Sequence, residues 1–251
     1  MNILLATLVF PYPINDGGKS GTFRMVDALR ENHSVTIIVP ESPHLGELQK
    51  LWPDVQIKPF RIANGAPKDG AVFGFIKELM GRKVKFSKAQ IMEREMQLHS
   101  SNLVQYFFED LLSVFQGEIL RGIYDLVQID FIDLAPLVHF IPKEIPKIFV
   151  HHEIRYKRMM LEKATLPEHK PEDDWKIQNT KVLEIGLINL FDKVVCLTEI
   201  DKHILLEAGV VKDKLEVSPL PMVLSEHAVN SPFVSKNRLL FLGPDQHYPN
   251  L

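Results

Sequence analysis

Short runs of consecutive apolar residues alternate along the chain with longer stretches in which apolar side chains recur every three to four positions. The runs cover 3–9, 34–39, 55–60, 126–129, 147–150, 193–197, 215–217 and 239–242. Most are apolar at successive positions rather than at every second one, the pattern of strands buried on both faces of a parallel sheet. Between them, Phe23, Val26 and Leu29 share one helical face, and Leu103/Val104, Phe107/Phe108, Leu111/Leu112 and Phe115 form a broad stripe. Ile200, Ile204 and Ala208 repeat the pattern behind Thr198, an N-cap residue type, and Gly209 closes that helix. Strands alternating with amphipathic helices predict an α/β fold, a Rossmann-like doubly wound and mostly parallel sheet with helices on both faces.

The spacing of the runs is uneven. Residues from about 66 to 122 are expected to form a mostly helical insertion between the third and fourth strands. Pro219, Pro221 and Pro232 then punctuate a linker-like stretch. A fresh strand and glycine turn follow at Arg238-Leu239-Leu240-Phe241-Leu242-Gly243. The expected organisation is therefore one Rossmann-like domain over 1–236, with 237–251 starting a second.

Composition narrows the class. The 251 residues are 45% hydrophobic and 24% charged, the proportions of an ordinary globular protein, which excludes collagen-like and disordered chains. The 29 Lys+Arg against 32 Asp+Glu leave a net charge of -3, the wrong sign for a nucleic-acid surface. Cys196 is the single cysteine, so no internal disulfide forms and a reducing compartment fits. The opening Met1-Asn2-Ile3-Leu4-Leu5-Ala6 reads as a strand, without a basic region before it or a cleavage site after it. No run of about 18 apolar residues spans a bilayer. A cytoplasmic protein is expected.

Three segments place polar chemistry directly after predicted strands, where ligands of doubly wound sheets bind. After the first run comes Pro11-Tyr12-Pro13-Ile14-Asn15-Asp16-Gly17-Gly18-Lys19-Ser20-Gly21. Glycines there let backbone N–H groups approach an anion, and the next helix adds the positive end of its dipole; the alternative is a plain glycine turn. Gly18-Lys19-Ser20 resembles the end of a P-loop, but that pattern requires Gly where Pro13 stands, and no G-x-G-x-x-G is present. His151-His152-Glu153 follows the fifth run; a zinc-protease H-E-x-x-H fails because its last position is Tyr156. Neighbouring histidines on extended chain point opposite ways, so at most one faces the site and the other is structural. Arg155, Lys157 and Arg158 either meet phosphate or face water. Asp130, at the end of the fourth run, either holds a sugar hydroxyl or caps a helix expected over 131–140. Finally, Lys77, Arg82, Lys83, Lys85 and Lys88 lie among apolar residues. A segment of that kind lies on an anionic membrane surface or packs as an ordinary helix with solvated lysines.

Taken together, three of these segments and the tail resemble the N-terminal half of a family 4 glycosyltransferase of GT-B fold. Phe-Pro-Tyr-Pro-Ile-Asn-Asp-Gly-Gly at 10–18 resembles that family's opening, a strand followed by Pro-x-Pro and a double glycine. Tyr-Asp-Leu-Val-Gln-Ile-Asp-Phe-Ile-Asp-Leu-Ala at 124–135 resembles its mid-domain strand, where the family commonly has Glu at the place of Asp130. Phe-Val-His-His-Glu-Ile-Arg-Tyr-Lys-Arg at 149–158 resembles the strand ending in its active-site histidine. The tail Leu-Leu-Phe-Leu-Gly…Tyr-Pro-Asn-Leu at 239–251 resembles the start of its nucleotide-sugar domain.

The resemblance implies retaining transfer of a sugar from a nucleoside-diphosphate sugar to a glycan or lipid-linked acceptor, as in polysaccharide biosynthesis. It implies no required metal and no cofactor beyond the donor substrate. By position, Gly17, Gly18, Lys19 and Gly243 would lie on the donor diphosphate side. His152 would be catalytic, contacting the transferred sugar; Asp130, Glu153, Arg24 and Arg155 would be acceptor-side. Similar members often carry Arg three residues after the second glycine, where this chain has Gly21; Arg24, one turn on, takes that place. Residues 1–251 alone would be inactive, and segment 77–88 would give peripheral contact with the inner face of a membrane. Two other classes fit: a non-catalytic glycan- or nucleotide-binding module, and a sugar epimerase of the same two-domain architecture.

Overall fold

The computed structural model describes residues 1–62, 109–164 and 170–219. Seven parallel strands form one sheet: β1 (Asn2–Ala6), β2 (Ser34–Pro40), β3 (Gln56–Phe60), β4 (Leu126–Asp130), β5 (Lys147–His151), β6 (Lys193–Cys196) and β7 (Leu215–Val217). Their spatial order is β3-β2-β1-β4-β5-β6-β7. The expected α/β Rossmann-like fold is therefore present, and seven of the eight expected strands fall in place. Run 3–9 ends as a strand at Ala6, beyond which the Val9 N–H turns back to the Thr7 hydroxyl (3.2 Å). Run 239–242, segment 77–88 and Gly243 lie outside the described residues, as do the proposed boundary at 236 and most of the segment 66–122.

The helices are α1 (Gly17–Arg30), α2 (Leu45–Leu51), α3 (Glu109–Ile119), α4 (Arg155–Ala164), α5 (Pro171–Ile188) and α6 (Glu199–Ala208). They bury the sheet from both sides. On one side Leu5, Val26, Val35, Ile37, Val39, Leu48, Trp52 and Val55 form a compact cluster. Within it Trp52 stacks on Phe23 at 4.8 Å and donates its indole N–H to Asp27 Oδ1 at 2.9 Å. On the other side a larger cluster joins Leu4, Ile129, Phe149, Val194 and Phe191 to Phe115, Ile177 and Ile188. As expected, Thr198 caps α6, accepting the Asp201 N–H at 3.0 Å, and Gly209 ends it in the left-handed conformation at φ 105°.

One element differs from expectation. Segment 131–140 is not an α-helix but a 3₁₀ helix, Ile132–Phe140. Pro136 lies inside it and has no N–H to donate, which breaks an α-helical hydrogen-bond ladder. Nor does Asp130 cap it: residue Phe131 stands at the N-cap, and no side chain bonds the first turn.

At the opposite edge from the strands' carboxyl ends, the buried Glu118 carboxylate gathers Tyr124 Oη (2.5 Å), Lys58 Nζ (2.9 Å) and Arg121 Nη1 (2.8 Å). Burial and the neighbouring carboxylate push the Tyr124 phenol up to about 12. No helix among the described residues is long and apolar enough to cross a membrane.

Candidate functional site

Because all seven strands run the same way, their carboxyl ends share one edge. Strand order reverses between β1 and β4, and a crevice opens beyond the sheet at such a reversal. The loop after β1, the end of β4 and the residues after β5 all come to this place.

The loop after β1 turns through a cis Tyr12–Pro13 peptide and enters α1 at Asp16. The Asp16 carboxylate accepts the Lys19 N–H at 2.8 Å, and its carbonyl accepts the Ser20 N–H at 3.0 Å. Gly17 and Gly18 are exposed, and their N–H groups are the first-turn donors with no acceptor among the described residues. A Cβ at Gly17 would meet nothing within 4 Å, and one at Gly18 would make only ordinary contacts, the nearest with Asp16 Oδ1 at 3.5 Å. Neither glycine is therefore demanded by the chain's own packing. Lys19 folds back on the loop, its Nζ 2.8 Å from Asn15 Oδ1 and 3.5 Å from Asp16 Oδ2. Asp16 thus brings negative charge to the helix end, and Lys19 partly balances it. Arg24, on the second turn of α1, makes no ion pair among the described residues.

Asp130, the last residue of β4, is fully buried. Its Oδ1 accepts a hydrogen bond from Gln128 Nε2 at 2.9 Å, and the same amide nitrogen lies 3.1 Å from Met25 Sδ on α1. Its Oδ2 faces His152 Nε2 at 3.4 Å. Both of those atoms are buried and have no hydrogen-bond partner in this arrangement, although buried polar groups are almost always paired. Phe131 holds the other side of the histidine: the two rings stack at 4.5 Å with 14° between their planes. To do so Phe131 adopts φ 70°, the one positive φ at a residue other than glycine among the described residues. A side-chain-bearing residue is strained there, and strain of this kind collects at functional sites.

The two histidines point opposite ways, as adjacent residues on extended chain do. His151 is buried and hydrogen-bonded to Glu184 Oε1 at 3.0 Å. The same carboxylate caps α4, accepting the Arg155 N–H at Oε1 (2.9 Å) and the Tyr156 N–H at Oε2 (3.0 Å). The Arg155 side chain is not free for a ligand, since it grips Asp133 through Nη1 (3.3 Å) and Nη2 (2.6 Å). Glu153 is half exposed and pairs with Arg158 at 3.1 Å to both oxygens. Cys196 ends the neighbouring strand; burial pushes its thiol up to about 11, so it is no thiolate nucleophile at neutral pH.

His152, Asp130 and the Gly17-Gly18 turn thus lie at the ends of three adjacent strands, whereas Arg155, Glu153 and Lys19 are spent on partners of their own. Sequence reasoning missed Glu184, Gln128, Phe131 and Asp133. The signal for Glu184 was an acid on an otherwise buried stripe, Ile177, Thr180, Glu184 and Ile188 of α5. That for Gln128 was an amide inside a buried strand. Among the described residues no group of three or more His, Cys, Asp or Glu side chains is arranged to hold a metal ion.

No protein-family model matches the chain, and no curated protein matches it. Among solved structures the chain is similar to Anabaena HepE in complex with UDP and glucose, at 13% identity and a TM-score of 0.45. That match covers 88% of this chain and 45% of the other. It is similar to a Polygonum tinctorium UDP-glucosyltransferase capable of glucosylating indoxyl, at 11% identity and a TM-score of 0.45, over 89% and 53% of the two chains. It is also similar to a Listeria monocytogenes protein described as a candidate UDP-N-acetylglucosamine 2-epimerase, at 14% identity and a TM-score of 0.42, over 85% and 44%. The chain spans about half the length of these structures.

Proposed function

We propose that this chain forms the acceptor-side half of a glycosyltransferase that takes its sugar from a nucleoside-diphosphate donor. The observation that carries the reading is the His152–Asp130 pair at the point where strand order reverses, with a strained Phe131 pressed against the histidine. A ring held on one face by an aromatic and faced at Nε2 by a buried carboxylate has a fixed orientation. Its remaining polar capacity is directed to a ligand, and a sugar hydroxyl supplies both a donor and an acceptor for such a pair.

In this reading the Gly17 and Gly18 N–H groups face the donor diphosphate. Backbone donors already in place there would stabilise the charge that grows on the leaving phosphate. Asp130 lies on the acceptor side of His152, and Arg24, unpaired within α1, is the cation available to either substrate. Glu153, Arg155 and Lys19 support this frame through their own ion pairs. The finer proposals are membership of family 4, transfer with retention, a second nucleotide-sugar domain that includes Gly243, a glycan or lipid-linked acceptor, and membrane contact through segment 77–88.

The test is transfer from a panel of radiolabelled nucleotide sugars by the protein expressed from its full reading frame. Turnover is expected with at least one donor, and His152→Ala should lower it about 100-fold, the scale of lost transition-state contacts. Binding without turnover in the full-length protein would support a non-catalytic module instead. Interconversion of the donor sugar without transfer would support an epimerase.

A further inference from the structure

The segment that carries His152 is short: β5 ends at His151, and α4 begins at Arg155. Local contacts run forward only as far as Arg158, which meets Glu153 and the Ile154 carbonyl. One side chain from a distant part of the chain closes both ends. Glu184, fully buried on α5, accepts from the His151 imidazole at 3.0 Å and from the Arg155 and Tyr156 N–H groups at 2.9 and 3.0 Å. A carboxylate accepts only, so His151 carries its hydrogen on Nε2. Three converging donors on two oxygens hold the strand end and the helix start at a fixed separation. The span between them has little freedom left.

A second brace meets the same span from the other side. Arg155 grips Asp133 in the 3₁₀ helix Ile132–Phe140, directly after Phe131 and Asp130, which face the His152 ring. We propose that Glu184 is a positioning residue: by tying His151 to the first turn of α4, it fixes His152 in register with Asp130 and Phe131. This rests on the role of His152 proposed above. Misplacing a reacting group by about 1 Å costs on the order of 100-fold in rate, so a residue that touches no substrate can set turnover.

Glu184→Gln separates positioning from mere stability. Glutamine keeps one carbonyl acceptor and turns an NH₂ group toward the remaining N–H donors, which loosens one end of the clamp at nearly constant volume. In the full-length protein, the His152 ring signal is identified by NMR through its loss in His152→Ala. Glu184→Gln should shift or broaden that signal and lower kcat about 100-fold, with KM for the nucleotide sugar changed by less than about threefold. In the His152→Ala background the same change should cost less than about threefold further, because its effect passes through the histidine. A folded Glu184→Gln protein with an unmoved His152 signal overturns the proposal. So does an equal loss of kcat with and without His152. Should Glu184→Gln not fold, His151→Leu releases only the strand end and leaves the helix cap, and an unmoved His152 signal there overturns it as well. A wild-type protein that transfers no sugar would defeat the transferase reading alone, since the ring signal still judges Glu184.

Discussion

Phe131 stands in a conformation that side-chain-bearing residues avoid, at φ 70° and ψ 135°. Its cost is on the order of 1–3 kcal/mol; its side chain makes no cap hydrogen bond, and its carbonyl accepts only the ordinary turn bond from the Leu134 N–H at 3.0 Å. What the conformation does is set the ring flat on His152. Substitution by glycine relieves the backbone and removes the ring, whereas substitution by alanine removes the ring alone. Phe131→Gly should therefore be more stable than Phe131→Ala by about 1 kcal/mol in urea denaturation, the reverse of the usual order. An alanine variant as stable as the glycine variant would mean that no strain is stored at this residue. Sequence could place Phe131 after a strand but gave no sign of its φ, because the strain is imposed by neighbours distant in the chain.

Among the elements, α1 carries the most telling compromise. Its end points at the reversal of strand order, yet Asp16, the residue that caps it, is an acid. The cap and the charge are separable. Asp16→Ser keeps an oxygen for the Lys19 N–H and removes the negative charge that an incoming diphosphate would meet. On the proposed reading, isothermal titration with a panel of nucleoside diphosphates should show affinity for the one that binds rising a few-fold, the scale of a single charge at a helix terminus. Unchanged or weaker binding would place the diphosphate elsewhere. Most elements were legible beforehand. The buried runs at 34–39 and 126–129 name their strands, and Thr198 and Gly209 bracket α6 through their side-chain chemistry alone. The exception, 131–140, shows the limit: its apolar residues fit a helix, but Pro136 changes which hydrogen bonds can form. Of the candidate site, His152 and Asp130 were legible because each lies within two residues of the end of an apolar run. Arg155, Glu153 and Lys19 were singled out for their charge, yet their partners Asp133, Arg158 and Asn15 are visible only in three dimensions. Glu184 belongs with these, since its role depends on α5 packing beside α4 and the end of β5.

For the whole molecule, the sheet separates two apolar clusters that share no residue. Leu48→Ala on one side should cost about 2–5 kcal/mol and Ile188→Val on the other about 1 kcal/mol. With the sheet between them, the double variant should lose the sum to within about 0.5 kcal/mol in chemical denaturation. A larger departure would show that the two faces yield together. The same sheet order dictates a timetable. The β1 end is pinned by the Asn2 N–H to Asp125 Oδ2, groups 123 residues apart in the chain. At about 5–20 residues per second, a nascent β1 waits roughly 6–25 s for β4, its neighbour on one side. Glu184 follows His151 by a further 33 residues, about 2–7 s of synthesis at the same rate. Throughout that interval the segment bearing His152 exists without its clamp, so this end of the sheet is not complete until α5 has left the ribosome.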